Sequence, residues 1–319
     1  MTETTHQGGP ELLAAIIATP ADTELRLRYA AWLEQRGDPR GAFIRAQCLL
    51  AEGNLSRNEA AAQRQIVQDL VRAHMESWWI GRRQDGWSGS GTRFEDWKKN
   101  RAWSRGFQEA IRLGTDELIA SGNELFATTP VRKLILEVDT ADELERALEC
   151  ESLTGLHSLE IYYHPPIGVA GARALAHSPR LRALIELEAV ECAFDPAAAA
   201  ALASSPHLRT LRRLNLSQNP LGDAGVAALV DSPICAGLTE LWLPRCEIGD
   251  RGAEAIAASP HLQNLRELAL LVNDIGRPGA SALVNSPNLR SLKTLNLRFN
   301  RIQSKPPRRI GLTVLLSGS

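Results

Sequence analysis

The sequence has no run of apolar residues approaching the roughly 20 that span a bilayer, no CxxC pair, and almost no net charge, −1 over 319 residues. The first absence argues against a transmembrane helix. The third means no bulk electrostatic pull toward nucleic acid or acidic lipid. The opening "MTETTHQGGP" lacks a basic region followed by an apolar core, so it does not read as a secretory signal. Five cysteines, Cys48, Cys150, Cys192, Cys235 and Cys246, are odd in number and carry no metal or redox spacing. They point to a reduced, cytoplasmic protein. Catalytic signatures are missing too: no Gly-rich phosphate loop, no HExxH, no GxSxG, no metal-spaced Cys/His cluster. The expectation is a protein that is not an enzyme and has neither cofactor nor metal. What remains is a globular composition, 44% apolar and 23% charged, in a chain long enough for one or two domains.

What the sequence does have is a period. Ser-Pro dipeptides fall at Ser178, Ser205, Ser232, Ser259 and Ser286, each 27 residues from the last. A second series with that step runs Cys192, Asn219, Cys246, Asn273, Asn300. A third runs Gly171, Ala198, Gly225, Gly252, Gly279. Three series sharing one step of this length imply a stacked array. Within a unit, alternating Leu214 and Leu216 suit a strand with one buried face. The run Ala224 to Val230 suits a helix with one apolar face. Asp223 is placed to cap that helix, and Pro233 stops it. Asn219 stands where the strand turns away, and its amide can satisfy backbone groups inside the bend. Cys192 and Cys246 are smaller, weaker substitutes at the same position. They lie two units apart, roughly 10 Å, which is too far for a disulfide, and His207 and His261 are likewise too far apart to share a metal.

The units resemble leucine-rich repeats of the long, helix-containing, ribonuclease-inhibitor-like type. The consensus LxxLxLxxN/CxL is met by Leu211, Leu214, Leu216, Asn219 and Leu221, and again from Leu238, Leu265 and Leu292. Earlier copies drift, with Leu159 and Ile161 out of step. The resemblance implies an α/β solenoid, parallel strands on the concave face and helices on the convex face, of about eight strands across residues 106–302. "GFQEAIRL" (Gly106 to Leu113) is expected to open the stack. The divergent tail, 303–319, has two prolines that forbid a helix, and "IGLTVLL" within it could be a strand or cap.

Residues 1–80 read differently, as a small all-α domain. Leu25, Tyr29, Trp32 and Leu33 recur at helical spacing and stop at Gly37-Asp38-Pro39. Asn58 to Trp79 reads as a further helix. Through Pro20, Asp22, Arg26, Leu27, Tyr29, Ala30, Trp32, Leu33, Glu34 and the run "RGDPRGAFI" from Arg36, this segment resembles the bacterial repeat-companion domain that precedes leucine-rich and other repeats. That family has no established activity. Ala31 and Ala42 depart from its usual acidic positions.

Two surfaces are candidates for binding. Reading outward-facing positions across units gives short ladders: Glu186, Arg213, Glu240, Glu267, Thr294; then Glu188, Asn215, Trp242, Ala269, Asn296; then Val190, Ser217, Pro244, Leu271, Arg298; then Glu191, Gln218, Arg245, Val272, Phe299. Trp242, Leu271, Val272 and Phe299 would form an exposed apolar patch edged by Arg245 and Arg298, a composition typical of protein-binding hot spots. The second surface is the segment Arg82 to Arg105, a tryptophan-rich basic linker spanning 81–105. Its alternatives are a cap on the hydrophobic end of the stack and a nucleic-acid surface. The leading expectation is a scaffold that binds a protein partner, identity unknown, on its concave strands. Nucleic-acid binding, or service as an enzyme's regulatory subunit, are the alternatives. No membrane association is expected.

Overall fold

A computed structural model of the chain describes residues 8–78, 103–162, 166–304, 306–307 and 309–317. Trp79, Trp87, Trp97 and most of the basic segment lie outside the described residues. Two compact units form, Met1–Leu113 with Ala120–Leu134, and Gly114–Ile119 with Ile135–Ser319.

The described residues of the first unit include helices α1 (Gly9–Ala18), α2 (Thr23–Glu34), α3 (Arg40–Glu52) and α4 (Arg57–Trp78). Asp22 caps α2, its carboxylate accepting from Leu25 N at 3.1 Å. Leu12, Ile16, Tyr29, Ala30, Leu33, Ile44 and Cys48 make one core with Phe107. Phe43, Ala46 and Val67 make another, with Trp78 and Trp103 packed on it. The strands β1 (Trp103–Ser104) and β2 (Phe107–Gln108) pair as an antiparallel hairpin. Their link, Gly106, has φ +86°, and a Cβ there would lie 2.4 Å from Ile44 Cα. Only glycine fits. Residues 103–113 and 120–134 both group with these helices, and residues 103–109 are anchored to them. The anchor is Arg26, fully buried, which donates to Ser104 O (2.9 Å) and Arg105 O (3.2 Å) and pairs with Glu109 (2.6 Å).

Strand β3 (Ala110–Gly114), helix α5 (Thr115–Thr128) and strand β4 (Lys133–Glu137) carry the chain into the second unit. There helix α6 (Ala141–Leu148) is followed by alternating strands and helices. The strands are β5 (Ser158–Tyr162), β6 (Glu186–Ala189), β7 (Arg213–Asn215), β8 (Glu240–Trp242), β9 (Glu267–Ala269), β10 (Thr294–Asn296) and β11 (Thr313–Leu315). The helices are α7 (Gly168–His177), α8 (Pro196–Ala203), α9 (Gly222–Val230), α10 (Asp250–Ala258) and α11 (Arg277–Asn285). One sheet of nine strands runs β3 to β11 in sequence order, and β5 to β11 pair in parallel. This is the leucine-rich-repeat solenoid. The count exceeds the expected eight because the tail supplies β11, which pairs with β10.

Register follows the period. Leu187, Leu214, Leu241, Leu268 and Leu295 are partners across five strands, all fully buried. Each such leucine contributes about 1.5–3 kcal/mol of burial. Leu159 pairs with Leu187, 28 residues on, which is why that unit falls out of step.

The serine and asparagine series are bonded between units, and the glycine series is so bonded at Gly252 and Gly279. Asn219 Oδ1 accepts from Cys192 N (2.9 Å) and Phe194 N (3.0 Å), while its Nδ2 donates to Ala189 O and Leu216 O. Asn273 repeats this toward Cys246 N and Ile248 N. Cys246 manages weaker thiol contacts, to Leu216 O at 3.2 Å and Pro244 O at 3.4 Å. The serines of the Ser-Pro steps form a single row. Ser205, Ser259 and Ser286 donate to Ala176 O, Val230 O and Ala257 O of the preceding helix at 2.5–2.6 Å.

The aspartate row corrects an expectation. Asp223 does not cap its own helix. It lies inside α9, and its Oδ1 accepts from Gly249 N (2.7 Å) and Gly252 N (2.8 Å) at the start of α10. Asp250 does the same for Gly276 and Gly279. Close approach explains the glycines: a Cβ at Gly252 would sit 2.6 Å from Asp223 Oδ1.

Candidate functional site

The inward leucines fix the opposite strand positions as outward. Ser158, Glu160, Glu186, Glu188, Arg213, Asn215, Glu240, Trp242, Glu267 and Ala269 are cross-strand partners on that face. Arg213 is its electrostatic centre. It meets Glu186 at 3.0 Å on one side and Glu240 at 2.7 Å on the other. The Glu240 carboxylate, with Glu186 behind it, holds the guanidinium pKa above its ordinary value. Arg213 also stands 5.8 Å over the ring of half-buried Trp242, a cation–π contact. The Trp242 indole Nε1 is buried and has no acceptor. Below it, Asn215 Oδ1 accepts from Ser217 N at 3.1 Å.

Past each strand end the chain turns away from the sheet. Glu191, Gln218, Arg245, Val272 and Phe299 occupy the turning position in five consecutive units, and all five have left-handed φ, from 53° to 60°. Non-glycine residues reach that region at a cost, and a β-branched one such as Val272 rarely does. The sequence places this row among the outward-facing ladder positions. It is a strained turn that points its side chains out, and all five are exposed. Phe299 is 65% exposed and Val272 36%.

The structure brings most of the expected patch together. Arg245 N donates to Leu271 O (3.1 Å) and Val272 N to Arg298 O (2.9 Å), so Arg245, Leu271, Val272, Arg298 and Phe299 are neighbours. Leu271 is half-buried and Arg298 exposed. Phe299 N is tied to Ser317 Oγ, and the tail adds to the sheet edge without covering the Phe299 ring. Trp242 lies on β8, paired with Asn215 and Ala269 and next to Arg213. Sequence reasoning missed the left-handed turn, because none of its five residues is glycine or asparagine. It also missed the Glu186–Arg213–Glu240 bridge, although the alternating charge at 27-residue spacing was a readable signal.

Other sites are occupied structurally. Trp103 packs edge-on against Phe43, and Arg105 donates to Ala21 O at 2.7 Å, so this end of the basic segment is committed inside the helical unit. A cavity of about 600 Å³ beside α6 and α7 contains His177 and Ser178. There His177 Nδ1 bonds Arg173 O, and Ser178 Oγ donates to Leu148 O in the serine row. Burial pushes the Cys192, Cys235 and Cys246 thiols up to about 12, far from nucleophilic. Among the described residues no group of three or more His, Cys, Asp or Glu could hold a metal ion, and no helix is long and apolar enough to cross a membrane.

A family model described as Leucine Rich repeat matches residues 207–230, 237–257, 261–284 and 288–305. These segments match leucine-rich repeats and make up less than half of the chain. No curated protein matches the chain. Among solved structures, a crystal structure of a TLR13–ssRNA13 complex is similar at 16% identity and TM-score 0.35, covering 62% of this chain and 33% of that one. The chain thus spans about a third of that protein's length.

Proposed function

We propose that this protein is a non-catalytic, cytoplasmic scaffold that captures a protein partner on the concave strand face of its repeats. Leucine-rich repeats generally serve protein–protein interaction, and the repeat match supports that class of role. The observation that carries the reading is the exposed left-handed row. Val272 and Phe299 hold an unfavourable backbone and present apolar surface to water. A position selected for folding alone would carry glycine or asparagine. Strain that is kept together with exposed apolar area suits a binding surface. Arg245, Leu271 and Arg298 frame it, and Trp242 lies at its far side. Five cysteines free of disulfides suit a reducing compartment. The helical unit is read as a bacterial repeat-companion domain, since Arg26, Tyr29, Ala30, Leu33, Phe43 and Ile44, residues that carry the resemblance, are all buried.

The test is affinity capture from the native cell with wild-type protein and a Trp242→Ala/Phe299→Ala variant, followed by mass spectrometry. The variant should fold normally and lose the partner. Recovery of the same proteins by both would move the site elsewhere.

A further inference from the structure

The helical unit carries a candidate site of its own, independent of the scaffold reading above. Its apolar side chains form two separate clusters. One includes Tyr29, Ile44 and Phe107, and the other centres on Phe43 with Trp78 and Trp103 packed on it. Members of both clusters line a cavity of about 290 Å³. Protein interiors are close-packed, with few voids larger than a water molecule. An engineered cavity of about 150 Å³ admits benzene, so this one has room for roughly two fused rings.

The walls are aromatic. Tyr29 and Phe107, each 8% exposed, stack with ring centroids 5.9 Å apart. Trp78 and Trp103 both rest on fully buried Phe43, at 5.3 and 5.6 Å. Each ring is held by another, so the walls resist collapse. Buried Leu33 and Ile44 add apolar surface, while Arg40, Ser77 and Thr128 are exposed and mark the mouth.

The polar groups on the wall point to what it would take. Several are already engaged: Ser77 Oγ donates to His74 O at 2.8 Å, Thr128 Oγ1 to Glu124 O at 2.9 Å and Gln108 Nε2 to Ala110 O at 3.2 Å. Two are not. The Trp103 indole nitrogen is buried with no hydrogen-bond partner. The Tyr29 hydroxyl makes no hydrogen bond among the described residues, and burial pushes its pKa up, so it keeps its proton. Both can donate, and a buried donor left unpaired is costly. Charge at the mouth is balanced, since Arg40 Nε lies 3.0 Å from each Asp38 carboxylate oxygen. An aromatic cage can also hold a cation, but a cation offers no acceptor to the two donors.

We propose that this cavity binds a small, uncharged, planar molecule of two fused aromatic rings that carries an oxygen acceptor. The rings stack among Tyr29, Phe107, Trp78 and Trp103. The oxygen accepts from the Tyr29 hydroxyl and the Trp103 indole N–H.

The experiment is calorimetric titration of the full chain with four probes: coumarin, indole, coumarin-3-carboxylate and tetramethylammonium. Coumarin has both rings and acceptor and should bind with a Kd of about 0.3 mM or tighter. Indole has the rings without an oxygen and should bind about fivefold or more weaker. The anion and the cation should both bind more weakly than coumarin. Tyr29→Phe and Trp103→Phe keep an aromatic ring and should each weaken coumarin about threefold or more, with little change for indole. Ser77→Trp and Thr128→Trp add bulk at the exposed mouth and should abolish binding of coumarin without lowering the unfolding temperature. Absence of coumarin binding up to about 1 mM would overturn the proposal. So would indole, the anion or the cation binding as tightly as coumarin, or full affinity in both phenylalanine variants. Full affinity in both mouth variants would place any bound coumarin outside this cavity and overturn it equally.

Discussion

Arg26 Nη2 lies 2.6 Å from Glu109 Oε1, across 83 residues of chain. Burial lowers the Arg26 pKa, and Glu109 pushes back up. The guanidinium also donates to Pro20 O at 2.6 and 2.9 Å and to Ser104 O and Arg105 O. Arg26→Met would take a donor from one carboxylate and three carbonyls at once, of which Pro20 O keeps a second donor, Arg105 Nη2 at 3.1 Å. The expected cost is about 3–5 kcal/mol, the usual consequence of breaking a buried pair from one side. Urea unfolding reads the total, and hydrogen exchange at α2 and α3 amides should localise it. Arg26→Lys should recover only part, because an ammonium cannot reach the spread of acceptors that a planar fork does. A methionine variant within about 1 kcal/mol of wild type would show that the arginine does not hold residues 103–109.

Asn219 and Cys246 occupy one repeat position and should differ sharply in cost. Asn219 is fully buried and bonds two backbone amides and three carbonyls, in two successive units. Asn219→Ala leaves all of them without that partner. At about 1–3 kcal/mol for each buried group left unpaired, the loss should exceed 3 kcal/mol. Cys246→Ala removes two thiol contacts and a small volume, so about 1–2 kcal/mol is expected. Chemical denaturation of the two variants side by side measures the difference. Equal losses would mean that the amide bonds contribute little beyond filling space.

The period made the repeats legible because one side chain must meet its equivalent in each neighbour. Leu214, Leu241 and Leu268 alternate and recur for that reason, and strands followed directly. The bonded rows were visible only as letters. Asp223 looked like a local cap because sequence spacing reports neighbours along the chain, whereas its amides come from 26 and 29 residues on. The β11 strand was half legible: apolar enough for a strand, with nothing in the letters to fix its partner. In the site, the outward ladders were correct wherever strand pairing set them. They point outward at Glu191 to Phe299 too, where a turn forces left-handed backbone on residues that do not advertise it. Arg26 gave no sign of its role, because its acceptors are backbone carbonyls and one glutamate far along the chain.

Two carboxylates of the helical unit should govern its acid stability. Side-chain bonds from Arg40 hold the Asp38 carboxyl below its ordinary pKa, and bonds from Arg45 do the same for Glu34. A carboxylate depressed in the folded state stabilises fully above its unfolded pKa. It loses that contribution as pH falls through the folded value. The stabilisation is therefore complete above about pH 5 and declines through the range below about pH 4, where free Asp and Glu titrate. Asp38→Asn with Glu34→Gln should reduce the loss of urea midpoint between those two regimes. A variant that loses as much as wild type on acidification would assign the acid sensitivity to other groups.

Val272 sets folding against binding. Its φ of 55° places a β-branched side chain in the left-handed region, and 36% of it remains exposed. That conformation costs about 1–2 kcal/mol for an ordinary L-residue. Asparagine tolerates it, and the exposed position returns little burial in compensation. Val272→Asn should therefore stabilise the repeats by about 1 kcal/mol, raising the unfolding temperature by about 2–4 °C in a unit of this size. The same substitution takes an apolar group out of the surface beside Phe299, so capture of the partner should weaken. Thermal unfolding and affinity capture on one preparation should move in opposite directions, as they do where strain is retained for function. A variant that gains stability and keeps its partner would show the strain to be incidental to binding. One that loses stability would show the valine side chain to be packed more tightly than its exposure implies.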